Sequence, residues 1–263
     1  MTSIAQQSPT TSLQVQDVRL RRVLVSEWIK FWSLRSTVLT LLSAVVAMVV
    51  VGCLASWAFV DNWDELTPAE RAGFNPIDPA LVGVNLAQLA VGVLGVLLIT
   101  GEYATGMIRA TLSAVPTRLP VLWAKAGLYA AVTFVLMAVT SLVAFVTAQL
   151  FLGERGVGLG VSELPRALLG TAGYLTAIGV LAVALGFLLR STAGGIATLF
   201  GLLLPSSWQD QLLPYLPNYA GSAVTTVRPQ EDLLSVTGGV VVLTAWALIP
   251  LLAAALVLRR RDA

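Results

Sequence analysis

Six long stretches of the sequence contain no Asp, Glu, Lys or Arg, and they constrain the fold more than any other feature. They run over 36–60, 79–101, 126–153, 167–189, 191–209 and 233–258. A helix needs about 20 apolar residues to cross a hydrocarbon core about 30 Å thick. The sequence therefore predicts an all-α integral membrane protein, with six transmembrane helices in one domain over 17–263.

The composition agrees with a lipid-facing surface. Hydrophobic residues make up 57% of the chain and charged residues only 11%. A soluble domain carries about 25% charged residues, because its surface must be solvated. The lipid bilayer is the solvent that matches this chain, and the small net charge of +2 suggests no nucleic-acid partner.

Two segments precede the first apolar stretch. Residues 1–16 are rich in Ser, Thr and Gln, which predicts a disordered cytoplasmic tail rather than a signal peptide. Residues 17–35 predict an amphipathic helix that lies flat in the headgroup layer, or alternatively an extension of the first span. Its apolar face is formed by Leu20, Leu24, Trp28, Phe31 and Trp32, and its polar face by Arg19, Arg22, Ser26, Lys30 and Ser33.

The fifth apolar stretch is the weakest of the six. Pro205 interrupts it, and residues 208–218 combine prolines with aromatic side chains. This mixture suits a short helix or re-entrant element at one membrane interface, where aromatic rings concentrate. An ordinary amphipathic loop fits equally well.

Basic residues indicate the orientation. With both termini on one side, that side holds twelve of the 16 Lys and Arg residues, whereas ten of the 14 Asp and Glu residues lie on the other side. Lys and Arg concentrate in cytoplasmic segments. The sequence therefore predicts that the N- and C-termini are cytoplasmic.

The sequence lacks the residues that several kinds of catalytic and binding site require. The chain has no His and a single Cys, Cys53, so it offers no catalytic triad and no metal site made of His or several Cys residues. It has no Gly-rich loop ending in Gly-Lys-Ser/Thr, which nucleotide-binding loops require. We therefore expect no enzyme activity, no metal and no cofactor on this chain.

The segment 101–118 joins the second and third apolar stretches. Its sequence predicts a short helix, stopped by Pro116, with Met107, Ile108, Leu112 and Val115 exposed on parts of its surface. Exposed apolar side chains in a loop need a partner. That partner is either another protein or this protein's own helices.

The order of these features resembles the ABC-2 type permeases of ABC transporters, in particular actinobacterial members. The segment 26–36, SEWIKFWSLRS, resembles their amphipathic elbow, with Trp28, Lys30, Phe31 and Trp32 as its interfacial residues. The segment 101–112, GEYATGMIRATL, followed by VPTR and WAK, resembles their cytoplasmic coupling region. The resemblance covers nearly the whole chain, and the loop is its specific part.

The resemblance implies the permease subunit of an exporter in the bacterial plasma membrane. It implies pairing with a second permease, either a copy or a paralogue, and with P-loop ATPase subunits that hold ATP and Mg. The ATPase-coupling residues would be Glu102, Tyr103, Thr105, Gly106, Met107, Ile108, Arg109 and Leu112. Glu102 would pair with Arg109 or with a basic residue of the ATPase, and Met107, Ile108 and Leu112 would fill a groove on it.

Polar and small residues within the spans have two interpretations. Asn85 and Gln88 lie three residues apart and predict a polar patch of the substrate pathway, or hydrogen bonds inside the bundle. Small-residue faces around Gly83 and around Gly194 are typical of a seam between permeases, or of ordinary helix packing. At the level of function, the alternatives are an ATP-independent secondary or facilitative transporter and a non-transport membrane scaffold.

Overall fold

The computed structural model describes residues 20–115, 118–204, 212–227 and 234–260, and all regular structure in these residues is helical. The α-helices are α1 (Leu20–Ser33), α2 (Arg35–Asp61), α3 (Pro68–Ala72), α4 (Ile77–Leu81), α5 (Val84–Ala104), α6 (Met107–Ala114), α7 (Leu119–Leu152), α8 (Leu164–Leu189), α9 (Thr192–Leu203), α10 (Pro217–Thr225) and α11 (Val236–Arg260). Three short 3-10 helices accompany them at Trp63–Glu65, Gly153–Arg155 and Leu213–Tyr215. The predicted tail 1–16, Pro116 and residues 205–211 lie outside the described residues.

Five helical segments are long and apolar enough to cross a membrane, which is typical of a multi-pass membrane protein. They are Arg35–Asp61, Ile77–Ala104, Leu119–Arg155, Leu164–Leu189 and Val236–Arg260. They match five of the six predicted spans. Four begin before the predicted stretch and four end after it, because helices continue through the charged residues that bounded the apolar stretches. The fifth stretch yields α9, whose 12 residues extend about 18 Å. The sixth span therefore stays a prediction.

Helix α8 lies at the centre of the bundle. It packs against α5, α7, α9, α10 and α11. Helix α2 packs against α5 and α7. Of the most apolar 18 residues of each helix, 72% are buried in α8 but only 22% in α2 and in α11. The outer faces of α2 and α11 are therefore the apolar surfaces that lipid would cover.

Glycines allow α2 to approach the start of the second span closely. A Cβ atom at Gly83 would lie 2.3 Å from the carbonyl oxygen of Met48, and one at Gly52 would lie 2.3 Å from that of Ala80. Small residues permit such backbone contact between membrane helices. The small-residue face at Gly83 is therefore used within this chain, as ordinary helix packing.

The two ends of the bundle differ in charge. At one end, Thr192 of α9 donates a hydrogen bond to Thr100 near the end of α5, with an Oγ1–Oγ1 distance of 2.8 Å. At the other end, Gln149 of α7 donates to the carbonyl of Pro76, before α4, at 3.2 Å. Among the described residues, the first end holds ten Lys and Arg and two Glu, and the second holds three Arg and seven Asp and Glu. We call them the basic end and the acidic end.

Helix α10 lies inside the bundle and leads to the acidic end. The indole nitrogen of Trp246, in the middle of α11, donates to the carbonyl of Tyr215 at 2.8 Å. The ring of Tyr174 lies against Gly221, and Arg166, near the start of α8, donates to the carbonyl of Thr226 at 3.2 Å. The segment from Leu213 to Thr225 thus runs from within the bundle towards the acidic end.

Candidate functional site

Four charged side chains form a closed ring at the basic end. Lys125 Nζ lies 2.5 Å from Glu27 Oε2 and 2.7 Å from Glu102 Oε1. Lys30 Nζ lies 2.9 Å from Glu27 Oε1 and 3.4 Å from Glu102 Oε1. Positive and negative charges alternate, so the ion-pair ring of Glu27, Lys30, Glu102 and Lys125 is electrically neutral.

The ring joins helices that are distant in sequence. Glu27 and Lys30 come from α1, Glu102 from the last turn of α5, and Lys125 from the second turn of α7. Lys30 also donates to Thr111 Oγ1 of α6 at 3.2 Å. The ring and this hydrogen bond therefore connect α1, α6 and the two membrane helices α5 and α7.

Three members of the ring are buried. The side chains of Glu27, Glu102 and Lys125 are 5%, 7% and 8% exposed, whereas Lys30 is 28% exposed. Burial lowers the pKa of Lys30, but its hydrogen bond to Glu27 and the nearby charge of Glu102 outweigh burial and raise that pKa above its usual value. Removing one partner of a buried ion pair typically costs about 3–5 kcal/mol, because the other charge is left unpaired.

Helix α1 presents two different faces. Val23, Glu27 and Phe31 recur every four residues, and all three are buried. Phe31 packs beside Tyr129 of α7, with ring centroids 6.2 Å apart. Trp28 and Trp32 stay exposed and contact each other edge to face. Phe31 therefore belongs to the inward face, and the interfacial role predicted for Trp28 and Trp32 stays a prediction.

The turn between α5 and α6 depends on Gly106. Its φ angle is 72°, a left-handed conformation that glycine adopts without steric cost. Thr105 ends α5 and donates to the carbonyl of Gly101 at 3.0 Å. The short helix predicted after this turn is present as α6.

Helix α6 buries most of the apolar face that the sequence predicted to be exposed. Ile108, Leu112 and Val115 are 3%, 5% and 6% exposed, whereas Met107 is 42% exposed. The prediction of exposure is wrong for the first three, because they pack against this protein's own core. The outward surface of α6 consists of Met107, Arg109, Ala110 and Ser113.

A groove runs between α1 and α6 at the basic end. It has a volume of about 420 Å³, and Arg22 and Ser26 line it on α1 while Met107 and Ala110 line it on α6. Glu27 and Lys30 of the ring form part of its wall. A protein bound in this groove would contact the ring directly.

The predicted pairing of Glu102 with Arg109 is wrong for the described residues. Glu102 binds Lys30 and Lys125 instead. The chain reverses direction at Gly106, and Arg109 then lines a different cleft with Tyr103 and Arg190.

Asn85 and Gln88 differ in exposure, although the side-chain amide of Gln88 donates to the carbonyl of Asn85 at 3.2 Å. Asn85 is exposed and donates to the carbonyl of Val82 at 3.0 Å. Gln88 is 6% exposed, and its side-chain oxygen accepts a hydrogen bond from the hydroxyl of Tyr174. Gln88 is thus bonded inside the bundle, which was the alternative to a role in the pathway.

Sequence reasoning did not identify Glu27 and Lys125 as site residues. Glu27 was one charge within an amphipathic segment, and Lys125 stood at the border of an apolar stretch. The only local signal was the spacing of Val23, Glu27 and Phe31, which places an acid on an otherwise apolar helix face. Among the described residues, no three Cys, Asp or Glu side chains lie close enough together to hold a metal ion.

No family model matches the sequence, and no curated protein or solved structure matches it either.

Proposed function

We propose that this chain is the membrane-spanning permease subunit of an ATP-binding cassette exporter of the ABC-2 type. The observation that carries the proposal is the ion-pair ring, which links α6 to α1, α5 and α7. A P-loop ATPase, with ATP and Mg, would bind in the groove between α1 and α6. Because the ring lies in the wall of that groove, a displacement of α6 would be transmitted to two membrane helices at once.

The roles of the coupling residues follow from their positions. Met107 and Ala110 would contact the ATPase, since both line the groove. Ile108 and Leu112 would hold α6 on the core, because both are buried. Glu102 would connect α5 to the ring through its ion pairs with Lys30 and Lys125. Gly106 would set the angle between α5 and α6.

A six-span topology is part of the proposal. Helix α9 begins at the basic end, and the segment Leu213–Thr225 leads to the acidic end. The chain between these points would therefore make a sixth crossing, with α10 as the external re-entrant element. The excess of basic residues at the end that holds α1 and the end of α11 supports cytoplasmic termini, in a bacterial plasma membrane.

A second copy of the chain, or a paralogue, would complete the transport pathway. The face of α9 formed by Ala197, Thr198 and Gly201 is exposed in this chain. Small residues of this kind allow close approach of another membrane helix. This face is a candidate for the seam between the two permeases.

The test combines binding and enzyme activity. The full chain is co-expressed with any P-loop ATPase that its genomic neighbourhood encodes, and co-purification and ATPase activity are measured in lipid nanodiscs. We expect a stable complex, and we expect Ala110→Glu to weaken it at least tenfold, because the groove receives a buried charge. Ala69→Glu, an exposed alanine of α3 at the acidic end, is the matched control. Equal behaviour of the two variants would contradict docking in the groove.

A secondary or facilitative transporter is the second candidate, because Glu27 and Glu102 are buried carboxylates at a membrane boundary. Ion-coupled transporters keep ionisable groups at such positions. Uptake of a lipophilic dye into liposomes that contain this chain alone, under an imposed pH gradient and without nucleotide, would favour this candidate. If neither the complex nor the isolated chain moves solute, a membrane scaffold is the remaining alternative.

A further inference from the structure

A second cleft lies at the basic end, on the side of α6 away from the groove. It has a volume of about 480 Å³ and lies where the last turn of α5 and the first turn of α6 face the end of α8. Tyr103, Gly106, Ile108, Arg109 and Arg190 are among its lining residues. None of its described lining residues is acidic.

Arg109 and Arg190 are the two arginines of the cleft. No ion pair joins Arg109 or Arg190 to a carboxylate among the residues that the structure describes. Arg190 lies over the ring of Tyr103, with its guanidinium carbon 5.2 Å from the ring centroid. Glu102, adjacent to Tyr103 in sequence, binds two lysines of the ring through its Oε1, and its Oε2 is buried without a hydrogen bond among the described residues.

Two polar groups of the cleft residues are buried without a hydrogen bond. Within the described part of the chain, neither the Nε of Arg190 nor the hydroxyl of Tyr103 has a partner. Buried polar groups are almost always hydrogen-bonded in native proteins. The Nε of Arg190 can only donate a hydrogen bond and the hydroxyl of Tyr103 can donate one, so an acceptor can satisfy both groups.

The start of α6 contributes further donors. Gly106 precedes the helix and has no side chain to cap it. Unpaired N–H groups at the start of a helix bind phosphate and carboxylate groups. In α6 the N–H of Arg109 donates to the carbonyl of Gly106 at 3.1 Å, which leaves the N–H groups of Met107 and Ile108 as the donors of this turn. A Cβ atom at Gly106 would meet no atom within 4 Å, so the approach to this turn is open.

We propose that this cleft binds a phosphate group. Guanidinium groups pair with phosphate through two parallel hydrogen bonds, and the hydroxyl of Tyr103 and the N–H groups of α6 supply additional donors. The phosphate comes either from an anionic phospholipid or from solution. Tyr103 and Arg190 lie at the ends of membrane-crossing helices, at the depth of lipid headgroups. The proposal does not depend on an ATPase partner.

The test measures binding of phosphatidylglycerol to the purified full chain in a neutral detergent. The cleft variant Arg109→Gln/Arg190→Gln should bind at least tenfold more weakly than the natural chain. The control Arg259→Gln/Arg260→Gln removes the same charge from exposed residues at the same end, and should change binding less than twofold. Tyr103→Phe, which deletes only the hydroxyl, should weaken binding about threefold.

Competition distinguishes the two sources of phosphate. If the site takes lipid, millimolar inorganic phosphate should not displace phosphatidylglycerol. If it takes free phosphate, inorganic phosphate alone should bind the natural chain and not the cleft variant. Circular dichroism and gel filtration verify folding, and the single Arg109→Gln variant, whose side chain is exposed, replaces the double variant if that fails to fold.

Two outcomes would overturn the proposal. Equal loss of binding in the cleft and control variants would indicate diffuse attraction of lipid to a basic surface. Unchanged lipid and phosphate binding in the cleft variant, together with loss of ATPase association, would assign the two arginines to a protein interface instead.

Discussion

At the residue scale, the two lysines of the ion-pair ring differ in how deeply they are buried. Lys125 is 8% exposed and bonds to both carboxylates of the ring. Lys30 makes similar contacts but is 28% exposed, so water shares in solvating its charge. Charges that remain partly solvated contribute less to stability than buried ones.

The two lysines should therefore differ in their effect on stability. We expect Lys125→Met to lower the free energy of unfolding by about 3 kcal/mol, because Glu27 and Glu102 lose their shared buried partner. Lys30→Met should cost about 1 kcal/mol. Denaturant titration in detergent, followed by circular dichroism, measures both. Equal losses would show that burial does not set the strength of the ring.

A double variant separates the ring from other effects of the substitution. Glu102→Gln combined with Lys125→Met removes one charge of each sign, so the double variant should lose less than the sum of the single losses. Simple additivity would show that the two side chains do not interact.

At the element scale, the angle between α5 and α6 decides where the loop helix lies. Gly101 and Gly106 lie on either side of the end of α5, and a Cβ atom at either position would meet no atom within 4 Å. They differ in backbone conformation, since only Gly106 has a positive φ. This pair therefore isolates backbone conformation from packing.

Alanine at these two positions should have opposite effects. Gly106→Ala should destabilise the protein by about 1 kcal/mol, because a side chain disfavours the left-handed conformation. Gly101→Ala should stabilise it by up to about 1 kcal/mol, because alanine favours a helix over glycine. Thermal unfolding in detergent compares the two variants. A loss at Gly101 as large as that at Gly106 would contradict this explanation.

At the scale of the whole molecule, the opposite charges of the two ends predict the orientation in the membrane. The basic end should face the cytoplasm, where Lys and Arg concentrate. Exposed small residues lie at both ends, Ala69 in α3 and Ser113 in α6. The chain has one native cysteine, Cys53, so a background without cysteine needs a single substitution.

Labelling of introduced cysteines tests the orientation. In a Cys53→Ser background, Ala69→Cys should react with a membrane-impermeant maleimide in intact cells, and Ser113→Cys should react only after the cells are opened. A reporter that is active only in the cytoplasm, fused after Ala263, should be active. The reverse labelling pattern would invert the topology.

The sequence by itself indicated the lipid environment and the helical elements of this protein, because both depend on local composition. Charge-free stretches of about 20 residues predict membrane helices wherever they occur, and five of the six have the expected length in the described residues. Helix α1 was likewise readable from the periodicity of its apolar residues, and the short helix α6 was also predicted. Glu102 and Lys30 were noted as functional residues, although in separate sites.

Only the tertiary structure decided which charges meet. Glu27 and Lys125 are 98 residues apart in the chain, and no local pattern encodes a contact that arises when α1, α5 and α7 pack together. The same packing buried Ile108 and Leu112, which the sequence analysis had placed on an exposed surface. Exposure and ion pairing depend on the neighbouring helices, whereas helix formation and membrane insertion depend mainly on the segment itself.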